Sequence, residues 1–320
     1  MSATTTNNRG LDKYPEIPWH VEKYSKAPRL KFEWPGGARV AVLMHTAFEI
    51  FSEIQTIPAI THFRNAYSDA PSGGWLPAGT TASYDFSSSI EHDYSGRVGI
   101  WRILRLLTKY GIKGTISVTG LCTERFPDAV KEIARQGHEI CAHVWAQDIR
   151  HSILSPELQL DDIRRSVSAL ERLTGRRPVG WISPGGNATQ YTGQFLAQEK
   201  FLWWGDPGKN DDLPYLIEID GHKMVIIGSR RGKAGINAVE LIHRGGQQRE
   251  LYQRFVDEFN GQYAESEQGP GLIYAVMHAD FHTAGLNQVY DDMIQYARRF
   301  PGVWFTTREE IARYLLEKYG

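Results

Sequence analysis

Ala134–Gln147, ARQGHEICAHVWAQ, closes a helix, runs a strand and delivers a histidine within fourteen residues. The helix before it has Pro127 near its first turn, Val130 and Ile133 at helical spacing, and Gly137 where a helix stops. His138 to Ala142 is short and apolar, so His143 stands where that strand emerges. In α/β folds the emerging edge is where chemistry is placed. A single histidine at a strand end is also a common structural residue, so the rest of the chain decides between the two.

Working outward, the same unit recurs. Ala38–Met44 follows the Pro35-Gly36-Gly37 turn as an apolar strand, with His45, Thr46 and Glu49 at its far end. Ile100, Ile103, Leu104 and Leu107 mark a helix, and Ile112–Thr119 a second strand. Ser155-Pro156-Glu157 opens a long helix with a serine cap, a first-turn proline and an acid against the dipole; Gly175 ends it. Strands are expected at 178–182, leading into Ser183-Pro184-Gly185-Gly186, at 201–204, ending in Gly205-Asp206, and at 224–228. Asp211-Asp212-Leu213-Pro214 reads as a surface turn, or as part of a site. A helix near 247–260 precedes GLIYAVMH, Gly271–His278, a continuous apolar run of the kind a doubly covered parallel strand needs. Val303–Thr306 and a last helix, with Thr307 and Glu310 at capping-box spacing, end the chain.

Strands and helices alternate about seven times through short connections, which calls for parallel strands with crossover helices closed toward a barrel. Residues 36–320 are read as an α/β barrel and residues 1–35 as an extended arm carrying Trp19 and Trp34. The irregular 50–90 stretch is read as a substrate-side loop or a subunit contact.

With 320 residues, 41% hydrophobic, 23% charged and a net charge of -1, the chain has no electrostatic footprint for nucleic acid or anionic membrane. Neither a dinucleotide G-x-G-x-x-G nor a P-loop is present. Cys122 and Cys141, each in an apolar stretch, are read as buried free thiols, with one disulfide as the alternative. The first twenty residues hold no apolar core of a secretory signal and no later run has membrane length, so a cytoplasmic location is expected.

In a barrel, polar groups at successive strand ends converge on one mouth. Here they are Glu49, His143, Ser183, Asp206 and His278. One carboxylate and two histidines suit hydrolysis, in which a water is deprotonated and a leaving nitrogen protonated. If 278–282 stays extended, His278, Asp280 and His282 point to one side, as a metal half-site, a catalytic relay, or a solvated strand end. His20, His62, His92, His151, His222 and His243 lie in polar stretches and are read as surface residues. Trp145, Trp181, Trp203 and Trp204 lie near strand ends, where they either wall the pocket or pack in the core.

The stretches WPGGARVAVLMHTAFE, SGRVGIWRILRLLTKYGIKGT, GHEICAHVW, SPELQLDDIRRSVSALERLTGRRPVGWISPGG, DDLPY and VMH followed by VWFTTREEIARY together resemble the polysaccharide deacetylase superfamily, over roughly residues 36–315. The resemblance implies a distorted (β/α)7 barrel of the NodB-homology type. R-x-G-x-W-R-x-L-x-L-L, G-W and D-D-L-P-Y are most similar to its cytosolic branch, which includes allantoinases and cyclic imide hydrolases. The resemblance assigns Glu49 to the acidic motif, His143 to the first metal histidine and His278 to the late histidine acting as general acid. Two departures stand out: the acidic pair is reduced to Phe48-Glu49, and the second histidine of H-x-x-x-H is Gln147.

Two chemistries follow. With one divalent metal, zinc foremost, Glu49 and His143 supply two ligands and Gln147, His278, Asp280 or His282 the third. Without one, Glu49 acts as base toward water while His143 and His278 polarise the carbonyl and protonate the leaving nitrogen. The expected activity is ring-opening of a small cyclic amide such as an imide, hydantoin or ureide. Trp181, Ser183, Asp206 and Trp145 are expected to contact this small-molecule substrate. N-deacetylation of a saccharide and a catalytically silent ligand-binding barrel are the alternatives. A homo-oligomer, dimer or tetramer, is expected from the resemblance.

Overall fold

The computed structural model describes Tyr24 and residues 27–51, 90–228, 235–239 and 246–320. Most of the expected arm, most of the 50–90 loop, and Trp19, His20, His62 and His243 lie outside them.

The strands are β1 Val40–Phe48, β2 Thr115–Thr119, β3 Glu139–His143, β4 Gly180–Trp181, β5 Trp203–Trp204, β6 Tyr215–Ile219, β7 His222–Ile226, β8 Gly271–His278 and β9 Val303–Thr306. They form one sheet in the order β6-β7-β5-β4-β3-β2-β1-β8, with β9 also on β1. Every pairing is parallel except β6 with β7. β8 pairs with β1 from Val40 to Ala47. The other edge of β1 is divided: β9 takes Val40–Leu43 and β2 takes His45–Phe48. The sheet curls as a (β/α) barrel that is incomplete, as expected of the NodB type.

Helices α1 Ile100–Tyr110, α2 Cys122–Arg125, α3 Pro127–Arg135, α4 Pro156–Thr174, α5 Thr192–Gln198, α6 Gln248–Glu265, α7 Ala284–Ala297 and α8 Arg308–Tyr319 connect and cover the strands. Their ends follow local rules. Gly111 and Gly175, at φ 65° and 71°, stop α1 and α4 in the left-handed conformation, which costs a residue with a Cβ. Ser155 Oγ accepts the Leu158 N–H at the start of α4. At the start of α8, Thr307 Oγ1 accepts from Glu310 N at 3.2 Å and Glu310 Oε2 accepts from Thr307 N at 3.1 Å, the expected capping box.

The pleat sorts side chains into two layers. Val40, Val42, Met44, Ile116, Val118, Ala142, Trp181, Trp204 and Ile273 pack outward against Ile103 and Leu107 of α1, Ile163 and Val167 of α4, and Tyr290 and Met293 of α7. Ala41, Leu43, Cys141, Trp203, Val225 and Leu272 form the inner face, closed by Ile311, Ala312 and Leu315 of α8. Burial of side chains the size of Ile311 and Leu315 stabilises by about 1.5–3 kcal/mol each, so α8 is a plug rather than an appendage. Ahead of β1, Trp34 packs on the same cluster and donates from Nε1 to the Gly271 carbonyl at 2.8 Å.

Four expectations change. β1 does not stop at Met44; pairing on both edges carries it to Phe48, so His45 and Thr46 lie within the strand. The strand at 215–219 is an addition: Tyr215, Ile217 and Ile219 alternate into the outer layer, and Asp220-Gly221, both at positive φ, turn the chain into β7. Ala279–Phe281 is a 3-10 turn rather than an extension of β8, so His278, Asp280 and His282 do not share one side. His151 is buried, its Nε2 2.9 Å from Asp162 Oδ2 and its ring stacked on Trp181.

Candidate active site

His143 ends β3 opposite Thr119 of β2, on the inward phase of the pleat. Its ring is 2% exposed and lies among three oxygens. Nδ1 donates to the carbonyl of Ile182, while Nε2 is 2.8 Å from Gln147 Oε1 and 3.3 Å from Glu49 Oε1. A neutral imidazole has one N–H. Acceptors on both nitrogens require two, so this arrangement selects the imidazolium. Burial opposes that charge, but the hydrogen bond and charge of Glu49, with Ile182 and Gln147, outweigh it and hold the His143 pKa above its ordinary value.

Glu49 follows β1 directly, and its side chain keeps 17% exposure, so solvent reaches the carboxylate. Its neighbour fixes it. Ile50 donates from N to Thr119 Oγ1 at 3.2 Å and accepts from Gln147 N at 2.9 Å, tying the Glu49 loop to β2 and to the segment after β3.

His278 closes β8 in register with Ala47, two residues before Glu49 on the adjacent strand. Its ring stacks on Phe281 at 5.2 Å. Asp280 follows in the 3-10 turn. Burial, then the negative charge of Glu49, raises its pKa to about 8, so at neutral pH it is a protonated acid within the electrostatic reach of Glu49. His282 turns away: its Nε2 is 3.2 Å from Asn287 Oδ1, its ring leans on Tyr290, and burial lowers its pKa to about 4.

The expected substrate wall is built differently. Ser183 donates from N and Oγ to Asp206 at 2.9 and 2.7 Å, Trp204 Nε1 donates to the same carboxylate at 2.7 Å, and Trp181 Nε1 donates to Ser183 Oγ at 3.0 Å. Ser183 and Asp206 are 1% and 6% exposed. Trp181 and Trp204 belong to the outer layer. Trp145 packs with Ala146 and Ala169 under the Arg165 guanidinium, 3.5 Å from its ring. The hydrogen bonds of Ser183 and Asp206 join the ends of β4 and β5. Their link to the site is indirect, through Ile182, whose carbonyl orients His143.

An inward polar group was missed. Arg308, the first residue of α8, donates from Nη1 to His45 Nδ1 at 2.6 Å and from Nε to the Ile227 carbonyl at 3.2 Å. Arginine cannot accept, so His45 carries its proton on Nε2, 3.3 Å from Ser117 Oγ. The signal was present: His45 shares the alternating phase of Ala41 and Leu43.

A metal at Glu49, His143 and Gln147 meets a donor test. A catalytic zinc takes three nitrogen, sulfur or carboxylate ligands and an open position. This group offers one imidazole, one carboxylate and one neutral amide, and an amide oxygen is a weak ligand for zinc. Asp280 and His282 do not complete it: among the described residues no three His, Cys, Asp or Glu side chains are grouped to hold a metal ion. The donor set does not fit a catalytic zinc.

Residues 88–201 match the family model for polysaccharide deacetylase. The peptidoglycan deacetylase of Helicobacter pylori is 28% identical over 148 residues, 46% of this chain and 49% of that one. The chain spans under half the length of the first curated relatives it matches. A solved structure titled Puue Allantoinase superposes with a TM-score of 0.78 at 24% identity, covering 94% of this chain and 98% of that one. A probable polysaccharide deacetylase from Pseudomonas aeruginosa PAO1 gives 0.78 at 23%, covering 94% and 99%. At these identities the structural likeness bears on the fold, and it runs the length of the described barrel. Residues 88–201 thus match the polysaccharide deacetylase family, and the fold of the described chain is that of these (β/α) barrel structures.

Proposed function

We propose that the chain hydrolyses a non-peptide carbon–nitrogen bond, opening a small cyclic amide such as an imide, hydantoin or ureide with water activated by Glu49. The observation that carries this reading is the Glu49–His143 pair: a solvent-reached carboxylate 3.3 Å from the His143 ring, with a neutral amide where a third metal ligand would be. Glu49 takes a proton from water as the water oxygen attacks the ring carbonyl carbon. His143 keeps the carboxylate oriented and compensates its charge. The carbon–nitrogen bond then breaks, and the nitrogen takes a proton from the end of β8, where His278 and protonated Asp280 stand. Acyl carbon receives hydroxyl, nitrogen receives hydrogen, and the two products together contain substrate plus one water.

Such a site lacks a strong electrophile, which favours an activated ring carbonyl over an acetamido group. The similarity to a protein titled allantoinase supports the same direction. The family match and the peptidoglycan deacetylase relative favour a second reading, N-deacetylation of a saccharide. A panel of imides, hydantoins and allantoin assayed beside acetate release from chito-oligosaccharides separates them. Ring opening abolished by Glu49→Gln, about 100-fold or more, is the expected result; acetate release without ring opening overturns the first reading.

A further inference from the structure

The R-x-G-x-W-R stretch, Arg97 to Arg102, contributes no group to the acid–base pair, yet it is packed against the turn that carries Asp280. Ser95–Gly99 is a π-turn, closed by Ile100 N on Ser95 O, leading into α1. Such one-residue widenings are costly and recur at functional sites. Here the widening brings two glycines to surfaces with no space for a side chain. A Cβ on Gly96 would lie 2.3 Å from Phe126 Cγ, and one on Gly99 would lie 1.8 Å from the Ala279 carbonyl oxygen. Trp101 Nε1 donates to Gly96 O at 2.9 Å and locks the widened turn.

One turn on, Arg102 Nη1 donates to the His282 carbonyl at 2.6 Å and to the Tyr94 hydroxyl at 2.6 Å, and that hydroxyl donates to the same carbonyl at 3.4 Å. The segment so held has left the sheet, because β8 pairing ends at His278. Its far side is held by α7, through Asn287 and Tyr290 on the His282 ring and Thr283 Oγ1 capping Leu286 N. Between these anchors lie His278, in register with Ala47 of β1, and Asp280, which the charge of Glu49 reaches.

We propose that the widened turn Ser95–Gly99 and Arg102 form a brace for the turn Ala279–Phe281, and that Arg102 is a positioning residue which sets how His278 and Asp280 stand relative to Glu49. A charge-assisted hydrogen bond to one backbone carbonyl is directional and about twice as strong as a neutral one. Removing it frees the turn to move by a fraction of an ångström or more, the scale on which catalytic geometry is lost.

The catalytic part rests on the ring-opening reading; the positioning part does not, and the test separates them. Arg102→Met and Arg102→Lys are compared with the natural chain by the His278 Cε1–H resonance, by amide exchange at 280–283, and by kcat and KM on the opened ring. In Arg102→Met the His278 resonance shifts while that of remote His222 stays, exchange at 280–283 quickens, and kcat falls about 10- to 100-fold with KM within about threefold; Arg102→Lys restores part of each. Should Arg102→Met not fold, Arg102→Lys, with a partial shift and partial loss, decides. An unmoved His278 resonance with unchanged exchange overturns the brace. If the natural chain opens no ring, the ring-opening reading falls while the spectra still decide the brace.

Discussion

Glu139 is a carboxylate buried in the barrel, and titrating it tests how the plug helix is held. Its Oε2 accepts from Thr115 Oγ1 at 2.6 Å and from Glu309 N at 2.9 Å, and Oε1 accepts from Trp203 Nε1 at 2.7 Å. It thus caps the first turn of α8. Burial nevertheless pushes its carboxyl up to about 7 from 4.5, against these hydrogen bonds and with the charge of Glu309 adding to the rise. At about 1.4 kcal/mol per pH unit the difference amounts to about 3 kcal/mol. Between pH 4.5 and 7 the folded chain holds a proton that the unfolded chain has released, so this contribution is complete below 4.5 and lost as pH rises through 7. His138 and His282, lowered to about 4 by burial, slope the other way, and Asp280 slopes the same way. Subtraction removes them. Urea unfolding of the natural chain and of Glu139→Gln is measured from pH 4 to 8, the variant being less stable by about 1–3 kcal/mol through lost acceptors. The advantage of the natural chain shrinks by about 3 kcal/mol toward pH 8. A pH-independent difference refutes the reasoning: the three donors and the α8 N-terminus would then keep Glu139 ionised throughout.

Glu49→Gln lowers the His143 pKa, since Glu49 supplies the main force raising it; histidine NMR shows the downward move, and an unmoved midpoint would mean Ile182 and Gln147 suffice. Gln147→His replaces the neutral amide 2.8 Å from His143 Nε2 and gives the chain a third zinc ligand, so near-stoichiometric zinc is retained after gel filtration; equal metal content before and after the change contradicts the donor argument. Asp206→Ala orphans three buried donors, on Ser183 N, Ser183 Oγ and Trp204 Nε1, and costs about 3 kcal/mol or more in unfolding free energy. A change in KM at unchanged stability would return Asp206 to the substrate wall.

What was legible in the chain was what local rules decide. Gly271–His278 and Val303–Thr306 were read to the residue, because a continuous apolar run bounded by Gly-Pro-Gly or Pro-Gly turns leaves little else to form. The α4 and α8 caps were equally plain. β6 escaped because apolar Leu216 blurs its alternation and its partner β7 opens with polar His222 and Lys223; Asp220-Gly221 between them was the available signal. The site was legible as a set of strand ends, but not as a set of directions. Ser183 and Asp206 end strands as surely as His143 does, yet their hydrogen bonds run to each other and to Trp181 and Trp204. Strands of two residues give no phase from which those directions could be counted.

The same phase sets out the proposed acid–base pair at the mouth. His45, Ala47 and Glu49 share the inward side of β1, and Cys141 and His143 that of β3, so each strand contributes a lower group and an upper one. Below, Arg308 donates to His45, which fixes a neutral imidazole and uses the buried guanidinium inside the barrel. Above, Gln147 and Ile182 accept from His143, which fixes a charged one. Two histidines in one barrel are thus set to opposite protonation states by what their neighbours offer, a donor in one case and acceptors in the other. In the proposed reaction, His143 lodged among acceptors is matched to a carboxylate that must remain ionised, oriented and wet until it takes a proton from water.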